Sequence, residues 1–189
     1  MIFFTHYSST GFCNSFLIGP DDGGDAILID PGIFDTLLLK HIEENGLYLR
    51  HVLVTHAHRG HINGIKTIVK IYDPTIYYLG QSVFDVKCTR IVDGQVLELG
   101  DFSIQVMETP GHSADSVVYR LNNQIFTGDT LFAGSIGTTA DDFSRDLIVS
   151  AIKEKLLVLD DECIVFPGHG PPSKVGIERN LNPDLLEQG

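Results

Sequence analysis

Thr55-His56-Ala57-His58-Arg59-Gly60-His61 places three histidines within six residues, directly behind the apolar run His51-Val52-Leu53-Val54. Imidazole is the commonest metal-binding side chain, and the three rings can converge if a strand ends at the first of them. His56 and His58 then project to one side, because side chains two apart share a face of extended chain. His61, three residues on, enters from the opening turn of a helix. Short histidine clusters also occur on solvated loops, so donors elsewhere decide between the two readings.

Such donors follow. Thr109-Pro110-Gly111-His112-Ser113, Phe126-Thr127-Gly128-Asp129-Thr130 and Phe166-Pro167-Gly168-His169-Gly170-Pro171 each place an imidazole or a carboxylate in a glycine-bearing turn behind an apolar strand. Proline and glycine let the backbone bend sharply there and fix one side chain at a strand end. A single Gly-Asp turn is usually only a turn. Repetition of the pattern, each time with a donor suited to the same metal, points to one metal site.

On these residues the chain resembles the metallo-β-lactamase-fold superfamily. The resemblance runs from Asn14-Ser15-Phe16-Leu17-Ile18 and Ala26-Ile27-Leu28-Ile29-Asp30-Pro31-Gly32 to Gly168-His169-Gly170-Pro171, Val175-Gly176-Ile177-Glu178-Arg179 and Asn182-Pro183. In element order and tail it is similar to small glyoxalase II-like members. The resemblance implies that His56, His58 and His112 hold one metal, that His61 and His169 hold a second, and that Asp129 bridges both. It makes Asp30 the carboxylate that orients these ligands, a partner that histidine ligands commonly require.

The chain departs from the family pattern at Gly60, where the motif His-x-His-x-Asp-His carries an aspartate. Glycine has neither a donor atom nor a proton acceptor, so the second metal keeps two histidines and the shared Asp129, with more open coordination. A Lewis acid can still generate a nucleophile there, without one of the groups that positions the attack. The loop Gly134-Ser135-Ile136-Gly137-Thr138-Thr139-Ala140 departs as well, because glyoxalase II-like relatives often read Gly-Ser-Ile-Gly-Arg-Thr-Asp. Both departures bear on hydrolysis and leave the fold untouched.

Composition bounds the rest. The 189 residues suit one domain, 1–189, and 43% hydrophobic content suits a packed core. A net charge of −12 repels nucleic acid on average. Cys13, Cys88 and Cys163 are scattered and odd in number, which reads as buried small apolar residues and not as a disulfide framework or thiolate metal site. Met1-Ile2-Phe3-Phe4 is too short for a signal-peptide core, and no apolar run approaches the ~20 residues of a membrane span. The expectation is a cytoplasmic protein with no membrane partner.

Asp21-Asp22-Gly23-Gly24-Asp25 reads as a tight turn between strands Ser15–Ile18 and Ala26–Ile29. Asp35 caps a helix running to about Asn45, with Leu37, Leu38 and Ile42 as its apolar face and Gly46 ending it. His41 lies near that helix's C-terminus and His51 precedes the next strand, and neither sits in a donor-bearing turn. Residues 60–72 read as one helix, followed by a strand at Thr75–Leu79. Hairpins turn at Gly100-Asp101 and Asn122-Asn123. A second long helix is expected over Ser144–Leu159, with Leu147, Ile148, Ala151, Ile152, Lys155 and Leu156 in period, and Cys163–Phe166 is the last strand. Pattern alone gives an α+β chain. The resemblance implies an αβ/βα sandwich of two mixed β-sheets flanked by helices.

Two functions are weighed. Histidine and carboxylate ligands suit iron as well as zinc or manganese. With two metal ions, iron favoured, the chain is similar to the small, single-domain oxygen-binding di-iron proteins of the superfamily, on the strength of the glycine in His-x-His-x-Gly-His. Dioxygen is then the ligand, and sensing fits better than detoxification, with a protein partner for signalling or electron transfer. The alternative is a glyoxalase II-like metal-dependent thioester hydrolase acting on a small-molecule substrate, supported by the six retained ligands and opposed by Gly60 and Thr138. Arg59 has no assigned role.

Overall fold

The computed structural model describes residues 1–9 and 11–186. The chain divides into two compact units, residues 1–91 with 98–102, and residues 92–97 with the chain from Ser103 onward.

In the first unit, Ala26-Ile27-Leu28-Ile29 is apolar at every position and all four side chains are buried, as in a strand covered on both faces. β1 (Ile2–Tyr7), β2 (Asn14–Gly19) and β3 (Gly24–Ile29) form an antiparallel meander, with Phe4 opposite Leu17 and Leu17 opposite Leu28. α1 (Thr36–Glu44) is capped by the Asp35 carboxylate, which accepts from the backbone N–H of Leu37 and Leu38 at 3.1 and 3.0 Å. It carries the chain back to β4 (Leu47–Leu53), parallel to β3. Two short helices, α2 (Arg59–Ile62) and α3 (Ile65–Ile71), lead to β5 (Thr75–Tyr78), parallel to β4. A hairpin of β6 (Ser82–Val83) and β7 (Val86–Lys87) precedes β8 (Thr89–Arg90), which adds to β5. The sheet order is β1-β2-β3-β4-β5-β8. Leu38 and Ile42 of α1 and Ile65 and Ile68 of α3 pack with Leu17, Leu28, Leu49 and Val52 in one core.

The second unit repeats the plan. β9 (Val96–Leu99), β10 (Phe102–Glu108), β11 (Val117–Leu121) and β12 (Gln124–Gly128) follow one another, and β13 (Leu131–Phe132) pairs with β14 (Ser135–Ile136) in a small hairpin. α4 (Asp142–Ala151) leads to β15 (Ile164–Pro167), which pairs parallel with β12. β16 (Ser173–Lys174) and α5 (Val175–Leu181) complete the chain, and the larger sheet runs β16-β15-β12-β11-β10-β9. Ile148, Ile152, Leu156 and Val175 pack with Val118, Ile125 and Val165 in a separate core. Both six-stranded sheets are mixed. Among the described residues no helix is long and apolar enough to cross a membrane.

The structure corrects the sequence reading at four places and adds one strand to it. Ile2–Tyr7 is a strand, because Phe4 and its neighbours find pairing partners in β2. His51 lies inside β4 opposite Ile27 and Thr75, since the Leu47-Tyr48-Leu49-Arg50 alternation already belongs to that strand. Leu37 is 50% exposed and is no part of the α1 core face. The helix expected over 60–72 breaks at Asn63-Gly64, where the Gly64 N–H donates to the Pro31 carbonyl at 2.7 Å and a Cβ would strike that oxygen. The second long helix begins at Asp142, capped by Asp141, and widens into a π turn at Ile152–Leu156. On that turn Lys155 leaves the apolar stripe and bonds both Asp93 carboxylate oxygens at 2.8 Å. Cys13, Cys88 and Cys163 are all buried, as read from their scatter.

Candidate metal centre

In the first unit the donors emerge where parallel strands end. Asp30 follows β3 and is 2% exposed, with φ of 50° in the left-handed region that non-glycine residues seldom enter. Both of its carboxylate oxygens are engaged. Oδ1 accepts from the Thr55 N–H at 2.7 Å, and Oδ2 from the Thr55 hydroxyl at 2.6 Å. His61 Nδ1 stands 2.9 Å from the same Oδ2.

A carboxylate only accepts, so this contact protonates His61 at Nδ1 and leaves the Nε2 lone pair for a metal. Thr55 extends the logic, because its hydroxyl proton goes to Asp30 and its oxygen is then an acceptor for His56 Nδ1, 3.1 Å away. One aspartate thus sets the tautomer of two histidines, one directly and one through a threonine. Asp30, His56 and His61 lie close enough to surround an ion, and both Asp30 oxygens already bond Thr55 and His61. The His58 ring stands edge-on to His56, with centroids 4.6 Å apart, and His61 is 4.3 Å from His56.

Gly60 sits among these residues with no side chain. Among the described residues a Cβ there would meet only Gly11, at 3.7 and 3.8 Å, which is ordinary contact. The backbone is crowded from the other direction. A Cβ on Gly11 would come within 2.8 Å of the Gly60 Cα, and one on Gly32 would overlap the Gly60 carbonyl. That carbonyl accepts from the Cys13 thiol at 2.6 Å. Arg59 is exposed at the start of α2.

In the second unit, His112, Asp129 and His169 form the other cluster. His112 Nδ1 donates to the Thr138 carbonyl at 2.8 Å, which again leaves Nε2 as the lone-pair nitrogen. His112 Nε2 is 3.5 Å from Asp129 Oδ2, and His169 Nε2 is 3.5 Å from Asp129 Oδ1. Two donors bound to one ion at about 2.1 Å with a tetrahedral angle stand about 3.4 Å apart, whereas a hydrogen bond would draw them to roughly 2.8 Å. The two oxygens of one carboxylate face different imidazoles, as a carboxylate shared between two ions does. The donor set therefore fits metal.

The loop that supplies Thr138 is held from far along the chain. Glu178, 1% exposed, accepts from the Gly134 N–H at 2.9 Å, from Asn182 Nδ2 at 2.7 Å and from the Ser173 hydroxyl. Asp184 accepts from the Ile136 N–H at 3.2 Å and from Arg145 at 3.1 Å. Gly137 is obligatory, because a Cβ would lie 1.8 Å from the Asp129 carbonyl. Sequence reading missed Thr55, Cys13, Glu178 and the Thr138 carbonyl. Thr55 adjoins the histidine motif and could have been suspected as a relay; a backbone carbonyl leaves no trace in residue type.

Two clusters of imidazole and carboxylate at strand ends, each on a mixed sheet backed by helices, define a metal-binding α+β protein. The chain belongs to the metallo-beta-lactamase superfamily, which matches residues 9–169. An uncharacterized protein of Mycobacterium tuberculosis is 36% identical over 92% of each chain. The hydroxyacylglutathione hydrolase GloC of Haemophilus influenzae is 30% identical over 87% of this chain and 89% of that one. Among solved structures, ETHE1 from Myxococcus xanthus superposes with a TM-score of 0.87 at 28% identity, covering 97% of this chain and 84% of the other. TTHA1623 in a di-iron-bound form superposes with a TM-score of 0.78 at 29% identity, covering 95% and 98%.

Proposed function

We propose that this chain holds two metal ions, iron by preference, and that it binds or senses dioxygen instead of hydrolysing a substrate. In this reading His56, His58 and His112 hold one ion, His61 and His169 the other, and Asp129 is shared. Gly60 is the observation that carries it. The position contributes no donor, and its carbonyl already accepts from the Cys13 thiol, so an ion held by His61 and His169 would have the more open coordination. Bound iron would supply redox chemistry and affinity for dioxygen. The protein's own part is to hold His56, His61 and His112 as Nδ1-protonated tautomers, which Asp30, Thr55 and Thr138 do. The similarity to a protein solved in a di-iron-bound form supports the choice of iron.

A second reading, thioester hydrolysis, is favoured by the 30% identity to a hydroxyacylglutathione hydrolase. The two are separated by loading the anaerobic protein with ferrous iron and recording its absorption before and after admitting oxygen. A long-lived, oxygen-dependent charge-transfer band at two irons per chain is expected. Absence of the band, with thioester cleavage by the zinc-loaded protein, would overturn the dioxygen reading in favour of the hydrolase.

A further inference from the structure

A concavity of about 500 Å³ opens at the β5–β8 edge of the first sheet, lined by Gln81, Ser82, Asp85, Lys87, Cys88 and Arg90. β5 alone separates β8 from β4, whose end carries the His56–His61 loop. We propose that this concavity is a binding site for a small anionic molecule of the carboxylate or phosphate class, held by Lys87 and Arg90. The proposal stands apart from the metal and dioxygen reading.

Three independent features meet there. The first is charge. Across the chain acidic residues outnumber basic ones by 25 to 13, yet this surface has two cations against one carboxylate, Asp85. Among the described residues neither Lys87 nor Arg90 has an ion-pair partner, whereas Arg50, Arg145, Lys155, Lys174 and Arg179 each have one. The second is pre-organisation. Val83 and Cys88, 3% and 7% exposed, anchor the hairpin in the core, and the Cys88 N–H donates to the Gln81 carbonyl at 2.9 Å. Ser82 stands directly opposite Lys87, so a hydroxyl and an ammonium are presented together.

The third is strain. The hairpin turns through Phe84 and Asp85 with φ of 49° and 66°, although neither is glycine or asparagine. Left-handed backbone at a bulky residue persists only where its surroundings hold it. Here Lys66 lies 4.4 Å over the Phe84 ring. Burial pushes the Cys88 thiol above its ordinary range, with a backbone hydrogen bond from the Val83 region opposing. It is therefore a neutral wall and not a nucleophile, and recognition falls to the two cations. Arginine presents a planar fork that matches carboxylate and phosphate oxygens, and lysine adds a point charge.

The test is a titration of the 15N-labelled full chain with inorganic phosphate and, separately, with succinate at constant ionic strength, followed by amide shifts. Saturating shifts confined to residues 81–90 are expected with at least one of the two, and the better probe identifies the anion class. Lys87→Ala and Arg90→Ala should each weaken binding by about tenfold, the loss of one charge-assisted contact, with the remaining spectrum unchanged as a check on folding. Lys70→Gln, which removes an exposed charge elsewhere in the same unit, should bind as the unaltered chain does. Non-saturating shifts with both anions, or an equal weakening in Lys70→Gln, would overturn the proposal.

Discussion

The two donor clusters solve one problem by different means. In the first, a single buried side chain, Asp30, fixes His61 directly and His56 through Thr55. In the second, a backbone carbonyl, Thr138, fixes His112. The loop bearing that carbonyl is pinned by Glu178 and Asp184, 40 or more residues on, as separations of 44 and 48 show. The first cluster depends on one residue's chemistry; the second depends on the shape of a loop. Loss of Asp30 should therefore disorient two histidines of the first at one point, whereas His112 in the second should lose its orientation only when its loop is released.

The largest effect is expected from Asp30→Asn. Asparagine tolerates the left-handed backbone but cannot accept from Thr55 and His61 in the same way, so metal affinity should fall about 10- to 100-fold. Competition with a chromophoric chelator measures this, and an unchanged affinity would remove Asp30 from its orienting role. Next comes Glu178→Ala, which strips an acceptor from Gly134, Asn182 and Ser173. It should cost about 2 kcal/mol, read as a lower Tm, and should weaken metal binding by less than Asp30→Asn. Glu178→Gln tests whether shape or charge matters: it keeps an acceptor and should recover most of both losses.

Gly60→Asp should fold normally, with a stability change below about 1 kcal/mol, because the added Cβ makes ordinary contacts. Zinc-loaded protein carrying it should gain thioester cleavage. If Tm holds and cleavage stays flat, the block lies in the Gly134–Ala140 loop of the second cluster. The smallest effect concerns the strand that feeds the first cluster. Burial lowers the His51 pKa from 6.5, with Asp25 opposing and Arg50 reinforcing the shift. The unfolded chain thus takes up a proton before the folded one does, so this contribution is whole above pH 6.5 and is lost as pH falls below it. His51→Gln should flatten that part of the Tm–pH curve, and a profile identical to the unaltered chain would deny the linkage.

Legibility in the sequence followed the same division. The histidines and Asp129 stand out because residue type and strand-end position both mark them, whereas Asp30 entered only through the family resemblance. The Asp35 cap and the hairpins at Gly100 and Asn122 were equally plain. Features that rest on tertiary contact were not. Phe4 and its neighbours form a strand only because β2 offers an edge, and the helix break at Gly64 is imposed by the Pro31 carbonyl. The π turn at Ile152–Leu156 lets Lys155 reach Asp93, a residue 62 positions away, and nothing in the apolar period announces it. Glu178 belongs to the same class, a lone glutamate on a short helix until its three donors are seen.

The proposed metal donors stand apart from the apolar side chains that fill the two cores, Leu17, Leu28, Leu49 and Val52 in one and Val118, Ile125, Val165 and Ile152 in the other. The apolar packing of each unit makes no use of those donors, so removal of an ion should leave the two cores in place. The same polypeptide recovered from iron-rich and zinc-rich growth should then show an identical frame, whichever ion it carries.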